Sequence, residues 1–140
     1  MALMNSGMLR FTPYFWSIYI HCFVCFEIVN VKVSENTWIG SNTLLGGSSG
    51  LSIGSFGSVS KGIRLYSHHS VEWATSGGQA DPRYAEPNFG GNTHIGQNSI
   101  VTKGVSIGRG CIIGAQSFVN TDVADGQKVA GSPARPISVK

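Results

Sequence analysis

With 140 residues the chain has room for one compact domain, or a domain plus a short arm, and not for two independent cores. Charged residues make up only 12% of it while glycine reaches 19 residues, a composition of many tight turns. The net charge of +3 is local, because Lys103, Arg109, Lys128, Arg135 and Lys140 face only Asp122 and Asp125 beyond residue 100. Such a basic end suits a small polyanion such as a nucleotide phosphate. It is too thin for a nucleic-acid-binding face, which needs Lys and Arg clustered across a surface.

From Phe11 to Asn30 the chain is mostly apolar and aromatic, interrupted by His21 and Glu27. A run of about 20 apolar residues can span a bilayer. Glu27 and the alternating stretch FEIVNVKV nevertheless read as the start of a strand, and no small-residue cleavage site follows. Residues 1–30 are therefore read as an apolar arm that packs on this chain or on a neighbouring subunit in preference to a membrane anchor, and residues 31–140 as the domain. Cys22, Cys25 and Cys111 are an odd set without a second pair to complete a zinc site. Amid Phe, Val and Ile, the C-x-x-C pair reads as apolar filler, and free thiols fit a reducing cytoplasm.

A repeat organises the rest. Val33, Ile39 and Leu45 recur every six residues; after two extra residues come Ile53, Val59 and Leu65, and after a long interruption Ile95, Val101, Ile107, Ile113 and Val119. Glycine follows the aliphatic residue at Gly40, Gly46, Gly54, Gly96, Gly108 and Gly114. Four places on stands a small residue, as at Thr37, Thr43, Ser49, Gly57, Ser99, Cys111 and Ser117. A period of six matches neither the helix nor the simple strand. It does match a short strand followed by a sharp turn: three hexads close a triangular coil, the aliphatic residue points inward, and coils stack in parallel. On this reading glycine supplies backbone freedom beside the turn, and the small residue fits a cramped corner.

The hexad of aliphatic, Gly, any two, small, any resembles that of the hexapeptide-repeat family over roughly residues 31–137. The resemblance implies an all-β fold, a left-handed parallel β-helix; the hand comes from the family, since parallel crossovers are otherwise right-handed. A repeat establishes architecture and not chemistry, so function is sought where it breaks.

It breaks after Leu65. His69 would fall on the small corner position, where an imidazole is too large, so the chain is expected to leave the prism at or just before YSHHS and to return at Ile95. The extruded loop, near residues 66–92, carries Trp73, Tyr84 and Phe89 among glycines and prolines. The string LYSHHSV resembles the segment in which the family's acetyltransferases end a coil with a histidine that serves as general base. His69 is the simpler match and His68 the alternate. An acidic residue often follows that histidine; here Ser70 does, and Glu72 is the nearest carboxylate.

The string VAGSPARPI resembles the family's closing motif, G-x-P-A-[KR]-x-[IV], with Arg135 in the basic position. With Lys103 in IVTKGV, Arg135 would pair with CoA phosphates, and Gly114 and Ala115 would lie alongside the same cofactor. Trp73, Tyr84 and Glu72 would contact the acceptor. The stretch from Gly46 to Ser67 is similar to bacterial polysaccharide and nucleotide-sugar acetyltransferases, which implies acetyl-CoA as co-substrate, a sugar hydroxyl or amine as acceptor, and a homotrimer with its sites between prisms. No serine or cysteine nucleophile with a paired base is evident, so direct transfer is the expected route. Two readings compete. One is a non-enzymatic scaffold. The other is a γ-type zinc carbonic anhydrase, two of whose ligands stand five residues apart; no such pair occurs among His21, His68, His69 and His94, and no metal is expected.

Overall fold

The computed structural model describes residues 30–138 and, before them, the backbone of β1 (Tyr19–Ile20) and β2 (Phe23–Phe26). The rest of the apolar arm before Asn30, Cys22 included, and the side chains of β1 and β2, that of Cys25 among them, lie outside the described residues. With β3 (Val31–Val33), those two strands form a first coil, since Tyr19 pairs with Trp38 and Phe23 with Thr43 in parallel. Strand pairing thus begins before Asn30.

The second coil is β4 (Trp38–Ile39), β5 (Thr43–Gly46) and β6 (Leu51–Ile53). The third opens with β7 (Ser58–Val59) and β8 (Arg64–Leu65), after which the chain leaves the prism. The excursion holds β9 (His68–His69), a short helix α1 (Val71–Thr75) and β10 (Arg83–Tyr84). The third coil closes with β11 (Asn88–Phe89). Then come β12 (His94–Ile95), β13 (Ile100–Val101), β14 (Ser106–Ile107), β15 (Ile112–Ile113) and β16 (Phe118–Val119), and the stack ends in the antiparallel pair β17 (Lys128–Gly131) and β18 (Ala134–Pro136).

These strands make three parallel faces, which we call first, second and third in the order in which each coil visits them. Ile39, Val59, Ile95, Ile113 and Val129 stack in register on the first. Leu45, Leu65, Val101 and Val119 stack on the second, and Val33, Ile53, Phe89 and Ile107 on the third, where Val123 bridges to Ile107. This is the expected left-handed parallel β-helix, with about five turns. All eleven aliphatic positions of the repeat are buried, none more than 3% exposed.

The structure revises three details. The chain returns to the prism at Phe89, one hexad before Ile95; the phenyl ring, only 5% exposed, takes the inward position, and Gly90 follows it as glycine does elsewhere in the repeat. The repeat glycines owe their place to crowding and not to an unusual φ. A Cβ on Gly40 would sit 2.5 Å from the Lys61 amide nitrogen, and one on Gly96 2.5 Å from that of Ala115, because the next coil's backbone passes directly against them. Left-handed backbone falls elsewhere, three places after the aliphatic residue, at Asn36, Asn42, Phe56, Gly62, Asn92, Asn98, Gly104, Gly110 and Gln116. Asparagine and glycine adopt it most readily.

The corner residues are small for a polar reason as well. The hydroxyl of Thr37 donates to Gly54 O at 3.1 Å, Thr43 to Ser60 O at 3.2 Å, Thr93 to Gly108 O at 3.0 Å and Ser99 to Gly114 O at 3.0 Å. Each is buried and satisfies a carbonyl of the next coil, as a buried polar group must. Cys111 takes the same place, with its Sγ 3.1 Å from Ala124 O, and burial pushes its thiol pKa up. It is a buried free thiol. Among the described residues no helix is long and apolar enough to cross a membrane.

Because the atoms that a Gly96 methyl would meet are backbone, they cannot swing aside. Gly96→Ala is expected to destabilise the fold by about 1–3 kcal/mol, the usual penalty for overpacking, read as a lower midpoint in thermal or urea unfolding. An unchanged midpoint would show that neighbouring coils separate freely.

Candidate active site

The excursion starts at the corner between the second and third faces. Ser67 is the last buried residue, and its carbonyl accepts from Ser49 Oγ at 2.8 Å and from the Ala85 amide at 2.9 Å, which closes the neck of the loop. The next two residues, His68 and His69, turn away from the prism and pair antiparallel with Tyr84 and Arg83.

Local sequence explains the loop. VEWAT holds no glycine or proline and folds as α1. Gly77 and Gly78, both at positive φ, end it, their amides donating to Ala74 O and Trp73 O. The Ser76 hydroxyl then accepts from the amides of Gln79 and Ala80 at 3.1 and 2.8 Å and turns the chain back. This helix was not visible in the period-six pattern, although the glycine pair was its stop signal.

Helix α1 brings Glu72 against His69. His69 Nδ1 lies 3.2 Å from Glu72 Oε2, and both atoms are closed off from solvent, in a close contact rather than an aligned hydrogen bond. Catalytic contacts are commonly loose before substrate binds. The other oxygen, Glu72 Oε1, lies 2.9 Å from Arg83 Nε. Arg83 went unnoticed in the sequence, where it stands eleven positions after Glu72. His68 lies on the opposite side of the ribbon, exposed, its ring stacked on Tyr84 at 5.5 Å and 27°. Trp73 and Tyr84 are both exposed. An open hollow of about 410 Å³, lined by Asn30, Lys32, Ser49, Gly50 and Glu86, adjoins the returning limb of the loop.

The four residues assigned to the cofactor divide between two corners. Lys103 stands beside the loop, since the next amide, Gly104, donates to Ala85 O at 3.0 Å. Gly114, Ala115 and Arg135 gather at the corner between the first and second faces. There the Gly114 amide donates to Val129 O, a Cβ on Gly114 would lie 2.8 Å from that of Ala130, and Ala130 pairs with Arg135. Ala115 and Arg135 are exposed, and the Arg135 guanidinium donates to Ala134 O at 2.8 Å. Within one chain the histidines and Arg135 stand at different edges of the prism. Among the described residues no group of three or more His, Cys, Asp and Glu could hold a metal ion.

Comparison with known proteins gives a consistent picture. The family described as bacterial transferase hexapeptide (six repeats) matches residues 87–121, which begin where the chain re-enters the prism. Serine acetyltransferase 2 of Arabidopsis thaliana is 28% identical over 113 residues, 81% of this chain and 34% of that protein. The chain thus spans about a third of that relative's length. Among solved structures, a hexapeptide-repeat acetyltransferase of Vibrio cholerae in complex with acetyl-CoA superposes with a TM-score of 0.77 at 24% identity, covering 83% of this chain and 63% of the other. A galactoside acetyltransferase in complex with coenzyme A gives 0.78 at 20%, covering 87% and 62%. At these identities the two structures speak for the fold. The repeat in the sequence, the stacked coils in the structure and the family match over residues 87–121 agree on a hexapeptide-repeat β-helix.

Proposed function

We propose that the protein is an acetyltransferase that moves the acetyl group of acetyl-CoA directly to a sugar hydroxyl or amine, with His69 as general base. The observation that carries this reading is the pairing of His69 Nδ1 with Glu72 where the loop leaves the prism. A carboxylate on Nδ1 favours the tautomer with its proton there, leaving the Nε2 lone pair to accept another. His68 is stacked on Tyr84 and, among the described residues, has no carboxylate paired with its ring, which favours His69 over it.

In the proposed reaction His69 takes the acceptor's proton through Nε2 as the acceptor oxygen or nitrogen attacks the thioester carbon. As the tetrahedral adduct collapses the C–S bond breaks, and His69 returns the proton to the departing thiolate. Backbone amides at the coil edge would stabilise the oxyanion. Trp73 and Tyr84 offer exposed rings for a sugar to pack on, and the hollow by Glu86 offers it room. Support for a sugar comes from the galactoside enzyme of the same fold. We place the protein in the cytoplasm, where acetyl-CoA and the reduced thiol of Cys111 are compatible.

Arg135, with Gly114 and Ala115, would receive CoA at one prism edge while His69 acts at another, and a neighbouring subunit would bring two such edges together. We therefore propose a homotrimer. Sedimentation at micromolar concentration is expected to give three copies; an active monomer would overturn it. Arg135→Ala is expected to raise the KM for acetyl-CoA several-fold with a smaller change in kcat, as for an interaction equal in ground and transition states; an unchanged KM removes Arg135 from the site. His69→Asn is expected to lower kcat by about 10²- to 10⁴-fold, the usual range for general-base catalysis, with acetyl-CoA binding retained by calorimetry. His68→Asn should lose far less. If neither substitution slows transfer tenfold in a folded protein, the histidine mechanism is wrong.

A further inference from the structure

We propose that Arg83 is a positioning residue for this site: it holds Glu72, and Glu72 so held fixes the ring of His69. The proposal rests on the reading of His69 as base. His69 and Arg83 are directly opposed in the β9–β10 ribbon, so their side chains leave the same face, with Cβ atoms about 4.5–5.5 Å apart. At that spacing one carboxylate can reach both side chains. Glu72 provides it, with Oε2 3.2 Å from His69 Nδ1 and Oε1 2.9 Å from Arg83 Nε.

Glu72 needs the second anchor. It sits on a helix of five residues whose N-cap, Ser70, makes no side-chain hydrogen bond, and none of that helix is buried. A glutamate with three rotatable bonds on so slight a support would leave the imidazole to swing. The arginine restrains the carboxylate from the opposite strand, across the closed neck of the loop. Stability does not account for the pair: the Arg83 side chain is 66% exposed and that of Glu72 36%, and exposed ion pairs contribute little to folding.

The test is a double-mutant cycle in the full chain, with acetyl-transfer kinetics, thermal melting, and ¹⁵N NMR of labelled histidine to read which ring nitrogen of neutral His69 carries the proton. Arg83→Gln is expected to lower kcat roughly tenfold, within the range lost when a reacting group is misplaced, with the acetyl-CoA KM unchanged, and to move the proton from Nδ1 towards Nε2. Arg83→Lys should restore most of both. Once Glu72→Gln is present, Arg83→Gln should cost nothing further, because Arg83 acts only through Glu72. An equal second loss in the Glu72→Gln background, or wild-type kcat for Arg83→Gln beside an inactive His69→Asn, overturns the role of Arg83 and leaves the base standing. Full activity of His69→Asn removes the base, and this proposal with it. If Arg83→Gln does not fold, Arg83→Met takes its place in the same cycle.

Discussion

The spacing between coils is the constraint on which the structure depends. Parallel strands hydrogen-bond at about 4.7–4.9 Å, and in a prism this distance applies at the corners as well as along the faces. Where one corner lies on the next there is no room for a Cβ, which is why Gly40, Gly54, Gly90 and Gly96 each face backbone of the following coil at a distance no methyl could occupy. The same closeness brings corner carbonyls within reach of Thr37, Thr43, Thr93 and Ser99, whose hydroxyls occupy them. Hydrophobic burial of the inward aliphatic residues drives collapse. The corners set its form.

A scaffold so regular has few places for a catalytic group. Inward positions are filled, and face positions point to solvent from a flat ladder. A corner can be opened without breaking the ladders, because the faces above and below continue to pair: β8 still meets β13, and β11 still meets β6, although more than twenty residues intervene between β8 and β11. The excursion therefore interrupts the sequence repeat while costing the prism nothing in register. It is braced by its own devices, the glycine stop and Ser76 turn after α1 and the two-residue ribbon of β9 and β10.

The sequence disclosed the prism more readily than the site, for a physical reason. Inward residues are selected by one environment repeated many times, so the eleven aliphatic positions stood out and all proved buried. Phe89 escaped because an aromatic ring filled a place where the pattern had an aliphatic residue, at the point where the loop had hidden the register. Asn36, Asn42, Asn92 and Asn98 carried a corner signal as regular as the glycines, legible only once the turn was known to need positive φ at that place. Glu72 was found as the nearest carboxylate in sequence. Arg83 was not found, because its relation to His69 is set by ribbon pairing across the loop and has no period.

The division of the proposed site between two edges bears on assembly. In a triangular prism the corner that opens into the loop and the corner at Gly114, Ala115 and Arg135 are separated by the second face, whose outward residues include Arg64, Ile100 and Phe118. To meet His69, Arg135 would have to reach across a face of stacked, hydrogen-bonded strands. In the proposed homotrimer a head-to-tail interface would place one subunit's loop edge against another's C-terminal edge, and a threefold rotation would repeat that contact until the ring closes. In that arrangement the rigid prism would serve as the frame that holds the two edges of neighbouring copies at one fixed distance, so that the site would be completed by symmetry and not by the movement of any side chain.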